Sequence, residues 1–316
     1  MAIQSPLHLT FTRWLLGRRR SSGQGFTLTE LLVSLIMGTL IMGSLLYLVV
    51  ELLGVNAKEE RLTRVQQDTR RALDYMSREV QEAVFVYANP TDVTAQLTDV
   101  GTLGTAVMAF WKLSDIEILE PTAAGTKTAL GTCPTGKDEE CGILRLRQSG
   151  YSLVVYFVQT NNAAGIWAGP RRIIRYELSP YAHVGTLTLN TGYRDPTLPG
   201  NSFESWTRAT GSATTDGDSA VLTDGIDAHN ATATGVACPS GLTAFPTTNA
   251  NNFFTCINTA TTGVDDNKTI YLFLRGSIAQ NDGSGRLTFG PIGTDSALPT
   301  LSTEVQIRGV LERSSG

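Results

Sequence analysis

The chain has 316 residues, of which 41% are hydrophobic and 17% are charged, so it can bury a core and wholesale disorder is not expected. The net charge is −4, but the first 25 residues hold four arginines and no acid, so the remainder has 21 basic and 29 acidic residues and a charge of −8. An acidic body lacks the basic surface that nucleic acids require. We therefore expect no nucleic-acid partner.

A long apolar run follows the basic leader. The 20 residues Leu31–Val50 contain no charged side chain, and as a helix they span about 30 Å, the thickness of a bilayer's hydrocarbon core. The cluster Arg18–Arg20 before them predicts that the N-terminus stays cytoplasmic and that the chain after residue 50 lies outside. One acid, Glu30, stands at the head of the run.

Small residues precede this apolar run instead of following it. An ordinary secretory signal is cleaved at small residues after its apolar segment. Here they lie in SSGQG, residues 21–25. Cleavage between Gly25 and Phe26 would therefore remove residues 1–25 as a basic leader and leave the apolar helix on the mature chain.

The segment GQGFTLTELLVSL resembles the N-terminal signature of type IV pilins and of the pseudopilins of type II secretion. In that family a basic leader ends in Gly, Phe usually follows, and Glu is the fifth residue of the mature chain. Gly25, Phe26 and Glu30 occupy these positions. The resemblance covers residues 18 to about 55 and implies that a prepilin peptidase cleaves after Gly25 and methylates the amine of Phe26.

The acid at the head of the run then has a physical explanation. A carboxylate in an apolar layer is unfavourable unless it is paired. In a monomer, Glu30 lies near the interface and near the positive end of its own helix. In a filament core it can meet the Phe26 amine of a neighbour, which favours one axial register because a displaced Glu30 would stay buried and unpaired. The alternative is an interfacial acid whose position is accidental.

Residues 54–88 predict an amphipathic continuation of this helix, ended by the stop signal Asn89-Pro90. Apolar or small side chains recur at three- and four-residue steps, at Leu62, Val65, Thr69, Leu73, Met76, Val80 and Ala83. This stripe should pack on a sheet. The charged residues between them, Glu79 included, are predicted to face water or neighbouring subunits.

Beyond residue 89 the periodicity becomes that of strands. Strands are predicted at 106–113, 142–148, 151–159, 171–180, 220–226, 269–278, 285–290 and 303–312, and loops at 91–105, 120–140, 185–220 and 228–265. The predicted fold class is α+β: a pilin-like fold whose long N-terminal helix, transmembrane in residues 26–53 and amphipathic in 54–88, packs on an antiparallel β-sheet with long loop insertions. Residues 89–316 form the β-rich extracytoplasmic head.

This order of elements also resembles the larger minor pilins, namely the PilW-like proteins and the J component of type II secretion tips. The resemblance rests on LTRVQQDTRRALDYMSREVQEA, on VVYFV followed by RRIIRYEL, and on VLTDGI. The Thr- and Asn-rich insertions and the closing STEVQIRGVLERSSG are most similar to pseudopilins of polysaccharide secretion and gliding in filamentous cyanobacteria.

The cysteines are Cys133, Cys141, Cys238 and Cys256. No C-x-x-C pair occurs, so a zinc site is not expected. Two local disulfides suit a domain outside the cytoplasm. Three connectivities are possible; we favour 133–141 with 238–256, and four unpaired thiols are the alternative.

The sequence gives little support for an enzymatic, metal-binding or sugar-binding function. It contains no nucleophile elbow, zinc-protease motif or phosphate-binding loop, so we expect no enzyme, cofactor or metal. Oxygen ligands cluster at Asp216–Ser219, at Asp265 and Asp266, and at Asn281–Gly285, but from Asp216 the sixth position of a calcium loop is Val221 rather than glycine. Turn residues are the preferred interpretation. A sugar-stacking patch of Trp111, Trp167 and Trp206 is a weaker alternative to core or loop-anchoring roles.

The sequence therefore predicts a minor pilin or pseudopilin of the inner membrane that joins a filament through its N-terminal helix, at the tip or in initiation, in support of secretion or motility. Expected partners are other pilins or pseudopilins, the prepilin peptidase, the inner-membrane assembly platform and, before assembly, the membrane. The alternative is a membrane-anchored adhesin or carbohydrate-binding module.

Overall fold

The computed structural model describes residues 25–116, 119–121, 127–129, 133–162, 165–167, 169–228, 236–247, 252–258, 269–279 and 298–307. The chain divides into two compact units, Met1–Asn56 and Ala57–Gly316, and the boundary falls within the first helix.

The helices are α1 (Leu28–Gln81), α2 (Pro90–Thr94) and α3 (Asp138–Arg147). The strands are β1 (Ala83–Val86), β2 (Thr105–Asp115), β3 (Leu119–Pro121), β4 (Lys127–Ala129), β5 (Ser149–Thr160), β6 (Arg171–Leu178), β7 (Tyr181–His183), β8 (Thr188–Leu189), β9 (Asp218–Ile226), β10 (Thr243–Phe245), β11 (Phe253–Ile257), β12 (Thr269–Leu274) and β13 (Leu301–Gln306).

In the first unit the described chain is the beginning of α1, and every described residue from Gly25 to Asn56 is exposed. Among the helices that the structure describes, α1 is the one that is long and apolar enough, by length and composition, to cross a membrane. An exposed apolar helix of this length is suited to a lipid environment.

The second unit is built on two antiparallel sheets. The large sheet has the strand order β1-β2-β5-β6-β9, and the small sheet has the order β10-β11-β12-β13. Two hairpins, β3-β4 and β7-β8, complete the strands that the structure describes. The protein is therefore an α+β protein with a long N-terminal apolar helix.

Side chains of a strand alternate between the two faces of a sheet, and each face of the large sheet packs against its own hydrophobic core. On one face, Phe110 and Tyr156 pack with Met76 of α1 and with Phe253 and Leu272 of the small sheet. On the other face, large side chains of the sheet form a core with side chains of the loop after β8, among them Trp111, Tyr176, Tyr193 and Trp206. The second core was not predicted from the sequence.

The end of α1 differs from the prediction. The helix was expected to reach residue 88 but ends at Gln81. Residues 84–87 are all β-branched or aromatic, and β1 pairs with β2 through Phe85 opposite Trp111. Asn89-Pro90, predicted as a stop, instead begins α2: the Asn89 side chain accepts a hydrogen bond from the Thr91 N–H at 3.1 Å.

The prediction of a strand at residues 142–148 was wrong, because residues 142–147 lie in α3 and Gln148 is its C-cap. The alternation of leucine and arginine suggested a strand, but Cys141 and Leu144, three residues apart, are the buried positions. Acids occupy the first turn and arginines the last, as the helix dipole favours. The helix ends at Gln148, which has a left-handed φ of 50° and donates its N–H to the Leu144 carbonyl.

The predicted loops also contain regular structure. The segment 228–265 includes β10 and β11, whose residues Phe253–Ile257 are buried throughout. The segment 91–105 includes most of α2, the segment 120–140 includes β4, and the segment 185–220 includes β8. The predicted strand at 285–290 lies outside the described residues.

Candidate functional site

The first turn of α1 is capped by the residue after Phe26. The Thr27 hydroxyl accepts the Glu30 N–H at 3.3 Å, and the Thr27 carbonyl accepts the Glu30 and Leu31 N–H groups at 3.0 and 3.2 Å. Threonine at the cap with glutamate three residues later is the sequence of a capping box. Phe26 lies just outside the helix and is 77% exposed. The structure therefore places the predicted cleavage junction at an exposed helix start, with Glu30 in the first turn.

The serine and threonine hydroxyls of the apolar run are satisfied within the helix itself. Its three aliphatic hydroxyls each donate to the carbonyl three residues earlier: Ser34 to Leu31 (2.9 Å), Thr39 to Ile36 (2.9 Å) and Ser44 to Ile41 (2.8 Å). Unsatisfied polar groups are costly in hydrocarbon. The next acid after Glu30 is Glu51, so the exposed surface of Leu31–Val50 is uncharged.

The C-terminal part of α1 is held in the second unit by a buried glutamate. Glu79 is 5% exposed and contacts three strands of the large sheet. Lys112 of β2 lies 2.9 Å from it, the Tyr156 hydroxyl of β5 donates to it, and Arg175 of β6 donates through Nε at 3.1 Å and through its terminal nitrogen at 2.5 Å. Arg175 also contacts Glu177 at 2.6 Å.

The cluster formed by Glu79, Lys112, Tyr156, Arg175 and Glu177 has an environment that keeps Glu79 and Arg175 charged. Burial raises the pKa of Glu79, but hydrogen bonds from Arg175, Tyr156 and Lys112 outweigh burial, so the pKa lies below its ordinary value. Burial lowers the pKa of Arg175, but its bonds to Glu79 and Glu177 raise it above the usual range. Burial and the neighbouring Glu79 raise the pKa of the Tyr156 phenol. At neutral pH the carboxylate and the guanidinium are both charged.

The burial of Glu79 corrects the prediction that the charged side chains between residues 54 and 88 face water or other subunits. The buried positions of α1 are Val65, Thr69, Ala72, Leu73, Met76, Glu79 and Val80. Glu79 lies three residues after Met76 and seven after Ala72, so it shares their buried face, although the prediction placed it among the charged residues between the stripe positions. That spacing was the available signal, but the sequence does not show which strands supply the cations.

A second buried ion pair joins the two sheets. Asp227, just after β9, accepts from Arg275, just after β12, and their side chains are 1% and 6% exposed. Backbone bonds reinforce the connection: the Asp227 N–H donates to the Arg275 carbonyl at 3.0 Å, and the Ser277 N–H donates to the Gly225 carbonyl at 2.8 Å. This pair is therefore part of the frame between the sheets.

All four cysteines form disulfides, in the pairing favoured from the sequence. Cys133–Cys141 joins the chain before α3 to the helix, and Cys238–Cys256 joins a loop to β11. Cys141 and Cys256 are fully buried. Because the bonds close short segments, each holds a surface element against the body.

The tryptophans predicted as an alternative sugar-stacking patch do not form one. Trp111 and Trp206 are 0% and 3% exposed and pack edge to face at 5.6 Å. Trp111 donates to the Tyr87 hydroxyl at 3.0 Å. Trp167 lies elsewhere, with the Arg172 guanidinium 5.6 Å from its ring centre. Trp111 and Trp206 therefore anchor the second core.

The oxygen-rich segments form no metal site among the residues that the structure describes. Among the described residues no group of three or more His, Cys, Asp or Glu is placed to hold a metal ion. Asp218 and Ser219 lie in β9, opposite Glu177 and Tyr176 of β6. Asp265, Asp266 and Asn281–Gly285 lie outside the described residues.

A cleft of about 800 Å³ lies between α3 and the loop after β8. Exposed aliphatic side chains on both walls include Ile143 of α3 and Leu198 of the loop, 46% and 51% exposed. At its edge Tyr181 donates to Glu140 at 2.8 Å. Its volume is that of a ligand or peptide site.

Comparison with known proteins identifies no relative of this chain. No protein-family model matches the chain, and neither a curated protein nor a solved structure matches it.

Proposed function

We propose that this chain is a minor pilin or pseudopilin with a pilin-like fold. The observation that carries the proposal is one arrangement: the junction Gly25-Phe26 stands directly before an exposed helix start, and Glu30 heads an uncharged helical run. The basic leader before this junction supports removal of residues 1–25 by a prepilin peptidase. The new Phe26 amine is then one turn from Glu30, the carboxylate at the head of the apolar segment.

The proposed function is assembly through α1. Before assembly, Leu31–Val50 stores the protein in the inner membrane, with the head outside. In the filament, Glu30 of one subunit pairs with the Phe26 amine of its neighbour. In an apolar layer this charge pair sets the axial register, because an unpaired carboxylate there is strongly unfavourable.

The body suits a tip or an initiating position. The loop layer over the second core and the disulfide-bonded surface elements enlarge the head beyond a single sheet and helix. Large surface elements hinder the close packing of a regular shaft. The partners are other pilins or pseudopilins, the prepilin peptidase and the assembly platform, and the role is mechanical rather than enzymatic, in secretion or motility.

Charge neutralisation of Glu30 tests this proposal. Glu30→Gln should be inserted and processed normally but excluded from sheared filaments, because the partner of the Phe26 amine is lost. Glu51→Gln is the matched control at the other end of the apolar run and should assemble as the wild type does. Incorporation is measured by quantifying the protein in purified filaments. Normal incorporation of Glu30→Gln would contradict the proposed pairing.

A further inference from the structure

The exposed side of α3 carries an acid, an aliphatic residue and a base at four-residue steps. Glu139, Ile143 and Arg147 are exposed and line the cleft. They lie on one face of the helix, and the two charges are about 12 Å apart along its axis. The ion pair described on this helix joins Lys137 and Glu140 at 3.8 Å; within the described chain Glu139 and Arg147 form none.

The apolar part of this surface is aliphatic. Leu146, one turn after Ile143, is 88% exposed. Across the cleft, Leu189 and Leu198 are 45% and 51% exposed. Tyr193, which also lines the cleft, is buried and donates its hydroxyl to the Tyr151 carbonyl at 2.7 Å. Exposed aliphatic groups between charged ends favour an amphipathic helix as the occupant.

We propose that the face of α3 that carries Glu139, Ile143 and Arg147 binds the same face of α3 in a second copy of the chain. The two helices are antiparallel, and a two-fold axis passes at Ile143. Antiparallel packing reverses the order of the charges. Glu139 of each copy then meets Arg147 of the other, and the two Ile143 side chains meet at the centre. A two-fold interface requires this self-complementary pattern. The same charge order, acids first and arginines last, also stabilises the isolated helix through its dipole.

The helix is presented in a fixed position. Its buried side holds Cys141 and Leu144, and the Cys133–Cys141 disulfide joins it to the preceding chain. Lys137 donates to the Leu187 carbonyl, and the Tyr181 hydroxyl donates to Glu140. Because these contacts exist before binding, little ordering is required when a partner arrives.

The contact is weak and depends on confinement. A helix of 10 residues is about 15 Å long, so the pair buries less than the roughly 1,000 Å² of a stable interface. Confinement by α1 to one membrane raises the effective concentration of two heads. The pairing goes beyond the proposed function, since it requires neither cleavage at Gly25 nor a filament.

Charge reversal distinguishes this interface from any other self-association. The full-length protein is reconstituted into lipid vesicles at graded protein-to-lipid ratios, and its association is measured by energy transfer between copies that carry donor and acceptor dyes. Glu139→Arg alone and Arg147→Glu alone each place like charges opposite one another twice, and each should raise the dissociation constant at least about tenfold. An equal mixture of the two variants restores both ion pairs and should return the constant to near that of the wild type.

The matched control is Glu204→Arg, the same charge change at an exposed residue outside the cleft; it should leave the dissociation constant unchanged. Recovery in the mixture also shows that the single variants are folded. The proposal is overturned if the wild type remains monomeric at all accessible concentrations, if either single variant associates as the wild type does, or if the mixture stays as weak as its components.

Discussion

Replacing the buried Glu79 by glutamine should lower the free energy of unfolding by about 3 kcal/mol. Glutamine keeps the volume but removes the charge that faces Arg175 and Lys112, whose side chains are 16% and 15% exposed. Removing one partner of a buried ion pair typically costs about 3–5 kcal/mol. The lower end applies because Glu177, 2.6 Å from Arg175, still compensates part of that charge.

The difference between wild type and variant should also depend on pH. The pKa of Glu79 is lowered in the folded state, so its contribution is fully present above the unfolded value of about 4.3 and is lost as pH falls through the folded pKa. The stability gap to Glu79→Gln should therefore be constant near neutral pH and should shrink in acid.

Urea unfolding of the full chain in non-ionic detergent measures this gap, with the fluorescence of the buried Trp111 and Trp206 as the signal. Glu82→Gln, at an exposed acid directly after the same helix, is the control and should change stability by less than about 0.5 kcal/mol. A Glu79→Gln variant as stable as this control would refute the idea that the cluster holds α1 on the sheet.

Two further changes test other packing contacts. A Cβ at Gly276 would lie 2.7 Å from the Thr69 hydroxyl oxygen, whereas a Cβ at Gly101 would meet nothing within 4 Å. Thermal or urea unfolding should therefore show Gly276→Ala to be less stable than Gly101→Ala by about 1–3 kcal/mol. Equal stabilities of the two variants would show that Gly276 does not approach α1 so closely. Replacing Cys238 and Cys256 together by serine opens a loop of 18 residues and should cost about 3 kcal/mol in the same assay; an unchanged midpoint would mean that this bond does not constrain the unfolded chain.

Much of the fold follows from patterns that are local in the sequence. Successive apolar steps predicted the stripe of α1 that packs on the sheet, and Met76 and Val80 are fully buried as expected. Dense β-branched and aromatic runs predicted β5 and β6, where Val155 pairs with Tyr176. Short-range cysteine spacing favoured the two disulfides that the structure contains.

The errors arose where distant residues decide the structure. Residues 83–86 continue a helical pattern, yet pairing with β2 makes them a strand. Glu79 looks like a surface charge until Lys112 and Arg175, far along the chain, surround it. The strand pattern of 142–148 gave way to a helix because a disulfide and a buried Leu144 fix one side of it. The second core was not predicted because part of it comes from a loop whose composition indicates only turns.

The N-terminus of the mature protein tests the central proposal most directly. Intact mass and N-terminal residue should be determined for the protein from its native membranes, beside Gly25→Ala and the matched control Gly23→Ala. We predict a wild-type chain that begins at methylated Phe26, loss of this processing in Gly25→Ala, and normal processing in Gly23→Ala. A wild-type chain that keeps residues 1–25 would contradict the pilin proposal and reduce the apolar segment to a membrane anchor.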